Sequence, residues 1–167
     1  MSRKILLIGG ANVGKKTTGK LMADMYQLKY GGSISNFALK HVVFPKLKHR
    51  YTTTEECFQD RHNHRKEWFQ IITDFNQKDK GRLYKEMVKD SDVIVGLRNV
   101  NELLAVRHLF EYVLWIKRDK VPLEKHSSCS VSEHDADATV LNNGDLENLS
   151  NNIRVSLLWA DTLKSLQ

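Results

Sequence analysis

Cysteine is scarce in this chain of 167 residues. Cys57 and Cys129 are the only two, so neither a disulfide framework nor a thiolate metal site is implied. Seven histidines occur, but none falls in an H-E-x-x-H or mixed Cys/His ligand pattern. No apolar run approaches the ~18 residues needed to cross a bilayer. Arg3-Lys4 precede only Ile5-Leu6-Leu7-Ile8 before glycine, too short a stretch for a secretory leader. A membrane is therefore not an expected partner, and the cytoplasm is the expected compartment. No basic run interleaved with aromatics suggests nucleic acid either. There is no internal repeat or linker, and the length suits one domain that buries about two-thirds of its unfolded surface. What is in excess is positive charge: 26 Lys and Arg against 20 Asp and Glu, a net +6. With no nucleic-acid motif to use it, that excess fits an anionic small molecule.

One stretch answers to that chemistry. Ile5 to Thr18 read as a short apolar strand entering a loop framed by glycines, with Gly9, Gly14 and Lys15 in the spacing G-x-x-x-x-G-K. Glycines let successive backbone N–H groups turn toward one anion, and the lysine meets the same charge. A helix starting within the loop adds its positive dipole end. Gly10, Ala11, Asn12, Val13, Gly14, Lys15, Lys16, Thr17 and Thr18 are the expected phosphate-binding residues. The competing reading is a plain strand–turn–helix with Lys15 solvated.

Hydrophobic periodicity organises the rest. Strands are expected near residues 4–8, 27–34, 92–95, 111–116 and 138–141. Helices are expected over 15–27, 35–43, 82–89 and 100–110, with a last one opened by Asp145. Thr52 or Thr53 should cap a single long helix reaching Phe75, with Glu55 and Glu56 in its first turn. Residues 119–136 have little periodicity and read as a flap. Strands alternating with helices predict an α/β fold, a five-stranded parallel sheet covered on both faces.

Two further features concern arginine. Phe58, Arg61, Arg65, Trp68, Ile72 and Phe75 advance in steps of three or four, so on one helix they share a face. Two guanidinium groups would then interrupt an apolar stripe, either snorkelling to water or converging, near His62, on an anion. The second feature is Asp92-Val-Ile-Val-Gly-Leu-Arg98. Gly96 and Arg98 follow the third strand, at the edge where open α/β sheets bind ligands and where the glycine loop also lies.

With these in place the chain resembles the P-loop nucleoside monophosphate kinases, in particular the small deoxynucleoside monophosphate kinases of bacteriophages. Gly9-Gly10-Ala11-Asn12-Val13-Gly14-Lys15-Lys16-Thr17 matches the G-G-x-x-x-G-K-x-T loop of adenylate-kinase-like enzymes. Gly96-Leu97-Arg98, with Glu102 following, is similar to their segment after strand three. His64-Arg65-Lys66-Glu67-Trp68 resembles the phage enzymes' arginine-bearing helix, and residues 137–145 their closing strand. The resemblance implies a three-layer P-loop fold: a core at 1–34, 77–118 and 137–167, a helical monophosphate-binding insertion at 35–76, and a short lid at 119–136. It implies transfer of the γ-phosphoryl group of ATP, with Mg2+, to a (deoxy)nucleoside monophosphate. Lys15, Arg98 and Arg118 would be catalytic. Phe37, Arg61, Arg65, Trp68 and Arg98 would bind the acceptor, and Thr17 would reach the metal. His126 and Glu133 resemble a lid motif, and Asn142 and Asn143 could flank adenine.

There are two departures from the pattern. Lys16 stands where most P-loop proteins have Ser or Thr, and Val95 where adenylate kinases keep an aspartate. The alternatives are a kinase for another small acceptor, such as dephospho-coenzyme A or a nucleoside, and a non-catalytic nucleotide-binding regulator. Nucleotides are the expected partners, with a homodimer left open.

Overall fold

The structure, a computed structural model, describes residues 3–122 and 129–166. His126 of the lid reading therefore lies outside the described residues. Five strands, β1 (Ile5–Ile8), β2 (Tyr30–Ser33), β3 (Val93–Val95), β4 (Tyr112–Lys117) and β5 (Ala138–Leu141), form one parallel sheet in the order 2-3-1-4-5. β1 is central: Ile5 pairs with Val93 on one side and Tyr112 on the other. All four β1 residues are fully buried, which is why the strand reads as an unbroken apolar run. The α/β architecture expected from the alternation of elements is the one observed.

The helices are α1 (Lys15–Tyr26), α2 (Ile34–Ala38), α3 (Phe44–Leu47), α4 (Thr54–Gln59), α5 (Arg65–Phe75), α6 (Arg82–Lys89), α7 (Val100–Val106) and α8 (Leu146–Ser165). α1 and α8 cover one face of the sheet, packing Met22, Ile153 and Leu157 on Ile5, Leu7, Val95 and Leu114. α6 and α7 cover the other, packing Tyr84, Met87, Leu103 and Val106 on Leu6, Ile8, Ile94 and Val113. The period of two along each strand sends alternate residues to opposite layers. Gly19, unusual inside a helix, sits where α1 approaches the sheet most closely. A Cβ there would stand 2.8 Å from the Tyr30 ring and 3.0 Å from Val95.

The helical region between β2 and α6 departs most from expectation. The single long helix predicted from residue 53 to Phe75 is broken: α4 ends at Gln59, a 3-10 turn covers Asp60–His62, and α5 begins at Arg65. The N-cap itself is as expected, with Thr53 and Glu56 forming a reciprocal capping box. The break centres on Asp60, whose carboxylate accepts from Tyr51 Oη (2.7 Å) and Asn63 Nδ2 (2.5 Å) and contacts His64 Nε2 at 3.1 Å. Such local side-chain bonding offers the chain an alternative to the helix ladder. The helix expected at 35–43 continues past Pro45 instead of stopping. α2 passes through a π-helical segment, Leu39–Val43, into α3, with Pro45 in the first turn where its missing N–H is tolerated. β2 is shorter than predicted because Gln27 takes a left-handed cap (φ 53°) and the strand has a register shift between Tyr30 and Gly32. The expected 100–110 helix ends at Val106 and finishes as a 3-10 turn.

Ion pairs pin the amino-terminal end of the sheet. Lys4 Nζ bonds Asp92 Oδ1 at 3.0 Å. Arg107 Nη2 reaches both oxygens of Asp137 at 2.6 and 2.7 Å, and Asp137 also accepts from the Val113 N–H. Asp92 is thus committed at the end of β3 opposite Gly96. Among the described residues, no helix is long and apolar enough to cross a membrane.

Candidate active site

The glycine loop is built largely from backbone. Gly14 is the N-cap of α1 at φ 92°, a conformation L side chains rarely adopt, and a Cβ there would collide with the Asn142 amide. Asn142 Nδ2 in turn donates to Val13 O at 2.9 Å, tying the loop to the end of β5. Asn12 is also left-handed (φ 60°). Lys15 Nζ lies inside the loop, donating to Gly9 O at 2.9 Å and to Gly10 O. Thr18 is fully buried and its hydroxyl donates to Gly14 O (3.0 Å). Thr17, the residue expected to reach a metal, lines a groove with Lys16, Lys20, Asp24 and Leu146, and of these only Lys16 also borders the main cleft.

The cleft beside the glycine loop, about 410 Å³ and the main one by its position, opens at the carboxyl ends of β1, β2 and β3; a wider hollow of about 600 Å³ lies between α5 and α7. α1 leaves β1 toward one face and α7 leaves β3 toward the other, so the crevice between these neighbours is a topological switch point. Gly9, Lys15 and Lys16 line one wall, and Val95, Gly96, Leu97 and Arg98 line the facing one. Ser33–Asn36 and Phe58 close it from the helical region, with Tyr84 and Glu102 at the side. Three cations and one carboxylate therefore share the space. Ser130 N and Val131 N donate to Arg98 O (2.8 and 3.2 Å), so the described part of the 119–136 segment docks on the backbone carrying that arginine. Glu133 is engaged elsewhere, accepting from Thr139 Oγ1 and standing 3.5 Å from Lys117.

Among the described residues Glu102 is the only carboxylate lining the cleft. It sits in the first turn of α7, one turn after Arg98, and the Tyr84 hydroxyl donates to its Oε2 at 3.4 Å. Desolvation raises its pKa, the Tyr84 bond partly opposing this. The Tyr84 hydroxyl is pushed well above the ordinary phenol value, first by burial and then by the neighbouring Glu102 charge. Tyr84 and the Ser33–Asn36 stretch were not singled out by sequence. Their signal was positional: β2 ends at the same edge as β1 and β3.

The other predicted acceptor residues lie apart from Lys15 and Arg98. Arg61, His62, Arg65 and Trp68 line their own nook of about 210 Å³. Arg61 Nη1 donates to Phe58 O and its guanidinium lies 3.8 Å over the Phe58 ring, so it meets the cleft only through Phe58. Arg65 Nη2 is 3.1 Å from His62 Nδ1. Trp68 Nε1 is buried with no hydrogen-bond partner. Phe37 packs against His41, ring centroids 4.3 Å apart, in the seam between the sheet and the helical region. Among the described residues the aromatic side chains lining the cleft are Phe58 and Tyr84, not Phe37 or Trp68. Phe58 and Trp68 still meet, ring centroids 6.5 Å apart, but of the two only Phe58 borders the cleft.

On the other side of the glycine loop lies a second pocket of about 250 Å³, lined by Gly10, Val13, Trp115, Arg118, Val121 and Pro122. Arg118 belongs here and not to the cleft of Arg98. Asn143 closes the neighbourhood through paired bonds with Asp119 (2.9 and 2.7 Å). Among the described residues, no group of three His, Cys, Asp or Glu side chains could hold a metal ion by itself.

No protein-family profile and no curated protein sequence matches the chain. Among solved structures, shikimate kinase from Aquifex aeolicus vf5 is similar over 93% of this chain and 96% of that one, at 17% identity and a TM-score of 0.47.

Proposed function

We infer that this protein is an ATP-dependent kinase that phosphorylates a (deoxy)nucleoside monophosphate to the diphosphate. The observation that carries the reading is the sharing of one cleft by Lys15 of the glycine loop and Arg98 after β3, with a second pocket on the loop's far side. Phosphoryl transfer asks little covalent work of the protein; it needs alignment, neutralised charge and exclusion of water.

In this reading the donor's base occupies the pocket of Trp115 and Arg118, and its phosphates lie on the amides of residues 10–16 and the amino end of α1. Lys15 meets the terminal phosphates. The acceptor lies in the main cleft with its phosphate on Arg98 and Lys16 and its base against Phe58 and Ile34. A guanidinium can hold a phosphate by two parallel bonds, worth ~1.5–3 kcal/mol each. A cleft with three cations favours an acceptor that already carries phosphate over a neutral one. Its volume suits a mononucleotide. Magnesium binds nucleotide sites through one or two carboxylates plus phosphates and water. Among the described residues of the cleft Glu102 is the carboxylate that could take part, and the metal would neutralise charge on the transferring group.

The test is incubation of the purified protein with ATP, magnesium and each monophosphate separately. Nucleoside diphosphate as product supports the assignment. ATP binding without transfer to any monophosphate overturns it and favours a binding protein. Transfer only to a different acceptor would keep the kinase and discard the substrate.

A further inference from the structure

α8 has two apolar stripes. Leu149, Ile153, Leu157 and Ala160 are buried against the sheet. Val155, Leu158, Trp159 and Leu163, with Leu166 at the C-cap, are 64, 66, 58, 37 and 78% exposed. Their spacing places them together on the opposite side of the helix. These side chains leave on the order of 500 Å² of apolar surface uncovered, at the upper end of what a monomer ordinarily shows. Two such faces pressed together would bury about 1,000 Å², and a polar rim brings the total to the ~1,200 Å² of a stable interface.

We propose that α8 is the contact face for a second copy of this chain, the two helices crossing antiparallel about a two-fold axis near Trp159. Charge selects this occupant. Each copy carries +6, and across a face of zero formal charge two copies meet without adding like-charge contacts within a Debye length. α8 is such a face: Glu147 and Asp161 balance Arg154 and Lys164. The same neutrality gives anionic lipid or an acidic partner no reason to choose it. Antiparallel crossing also opposes the two helix dipoles. Pairing through strand β5, which ends the sheet, is disfavoured because α8 covers its carbonyls. Ser156 Oγ donates to Thr139 O (2.7 Å) and Asn152 Nδ2 to Leu141 O (2.8 Å).

Sedimentation equilibrium of the full chain over about 1–100 µM tests this, because association is governed by mass action. Wild type is expected as a reversible dimer. Leu158→Glu sets like charges across the axis and should weaken it by ~100-fold or more while the circular dichroism spectrum stays unchanged. Independently of that variant's folding, Trp159→Cys in a Cys129→Ser background should form a disulfide-linked dimer on oxidation. A wild type that is monomeric throughout the range, a Leu158→Glu protein that stays dimeric, or a Trp159→Cys protein that does not cross-link overturns the proposal.

Discussion

The two sides of the main cleft are made in different ways. The glycine-loop side is a contiguous stretch between a fully buried strand and a twelve-residue helix, and its geometry comes from backbone, with Gly9, Asn12 and Gly14 at positive φ. The side facing it across the helical region is assembled from short helices stitched by surface side chains. Arg50 grips Glu67 through two bonds (2.7 and 3.0 Å), and Tyr51 and His64 hold Asp60. The first arrangement is local; the second adds to its own buried cluster around Val43, Leu47 and Cys57 a set of surface bonds that water can replace. Binding energy that must act on a transferring group is best placed on the first kind of support, and motions that admit a substrate on the second.

That contrast can be attacked at several points. Lys15→Ala should have the largest effect, a loss of ~10²–10³ in kcat/KM with the fold kept, since the ammonium sits at the centre of the loop. A coupled assay beside a thermal melt checks both parts. Arg98→Ala should cost ~2–4 kcal/mol of transition-state stabilisation across the monophosphates. Arg65→Ala, outside the cleft, should cost less than ~1.4 kcal/mol, about tenfold. Equal effects at Arg65 and Arg98 would mean that the helical region closes far enough to bring its arginines onto the acceptor.

Asp137→Ala should lower stability by about 1–3 kcal/mol without changing KM, because it frees the partly exposed Arg107 and the Val113 N–H at the end of the sheet away from the cleft. Chemical denaturation measures the first and steady-state kinetics the second. The smallest effect concerns acid. Hydrogen bonds from Tyr51 and then Asn63 lower the pKa of Asp60, and the bond from Arg50 lowers that of Glu67. Groups with depressed folded pKa values contribute stability above their unfolded values and lose it as pH falls through the folded ones. Hydrogen exchange below about pH 4 should therefore show residues 51–67 opening before β1.

Much of the glycine-loop side was legible in the sequence. Gly14 and Lys15 carry their meaning in their spacing, and the apolar run at 5–8 says that β1 is buried on both faces. Asp145 was legible as the cap of α8, and its carboxylate accepts from Asn148 N. The helical region was not legible in the same way. A period of three or four from Phe58 to Phe75 continues through the break at Asn63 and His64, because periodicity records side-chain character and not whether the backbone ladder persists. Three local acceptor bonds to one carboxylate interrupted that ladder.

By itself the sequence determined the parallel sheet, the glycine-rich loop after β1 and the edge at which Arg98 emerges. All three depend on residues close together in the chain or on burial that composition records directly. Only the tertiary structure decided that Arg98 shares a cleft with Lys15 while Arg61 and Arg65 do not, and that Arg118 borders the opposite pocket. It also decided that Phe58, Tyr84 and Glu102 complete the cleft's wall. Those outcomes depend on how separate helices dock, and docking is set by the summed packing of many weak contacts that no single motif encodes.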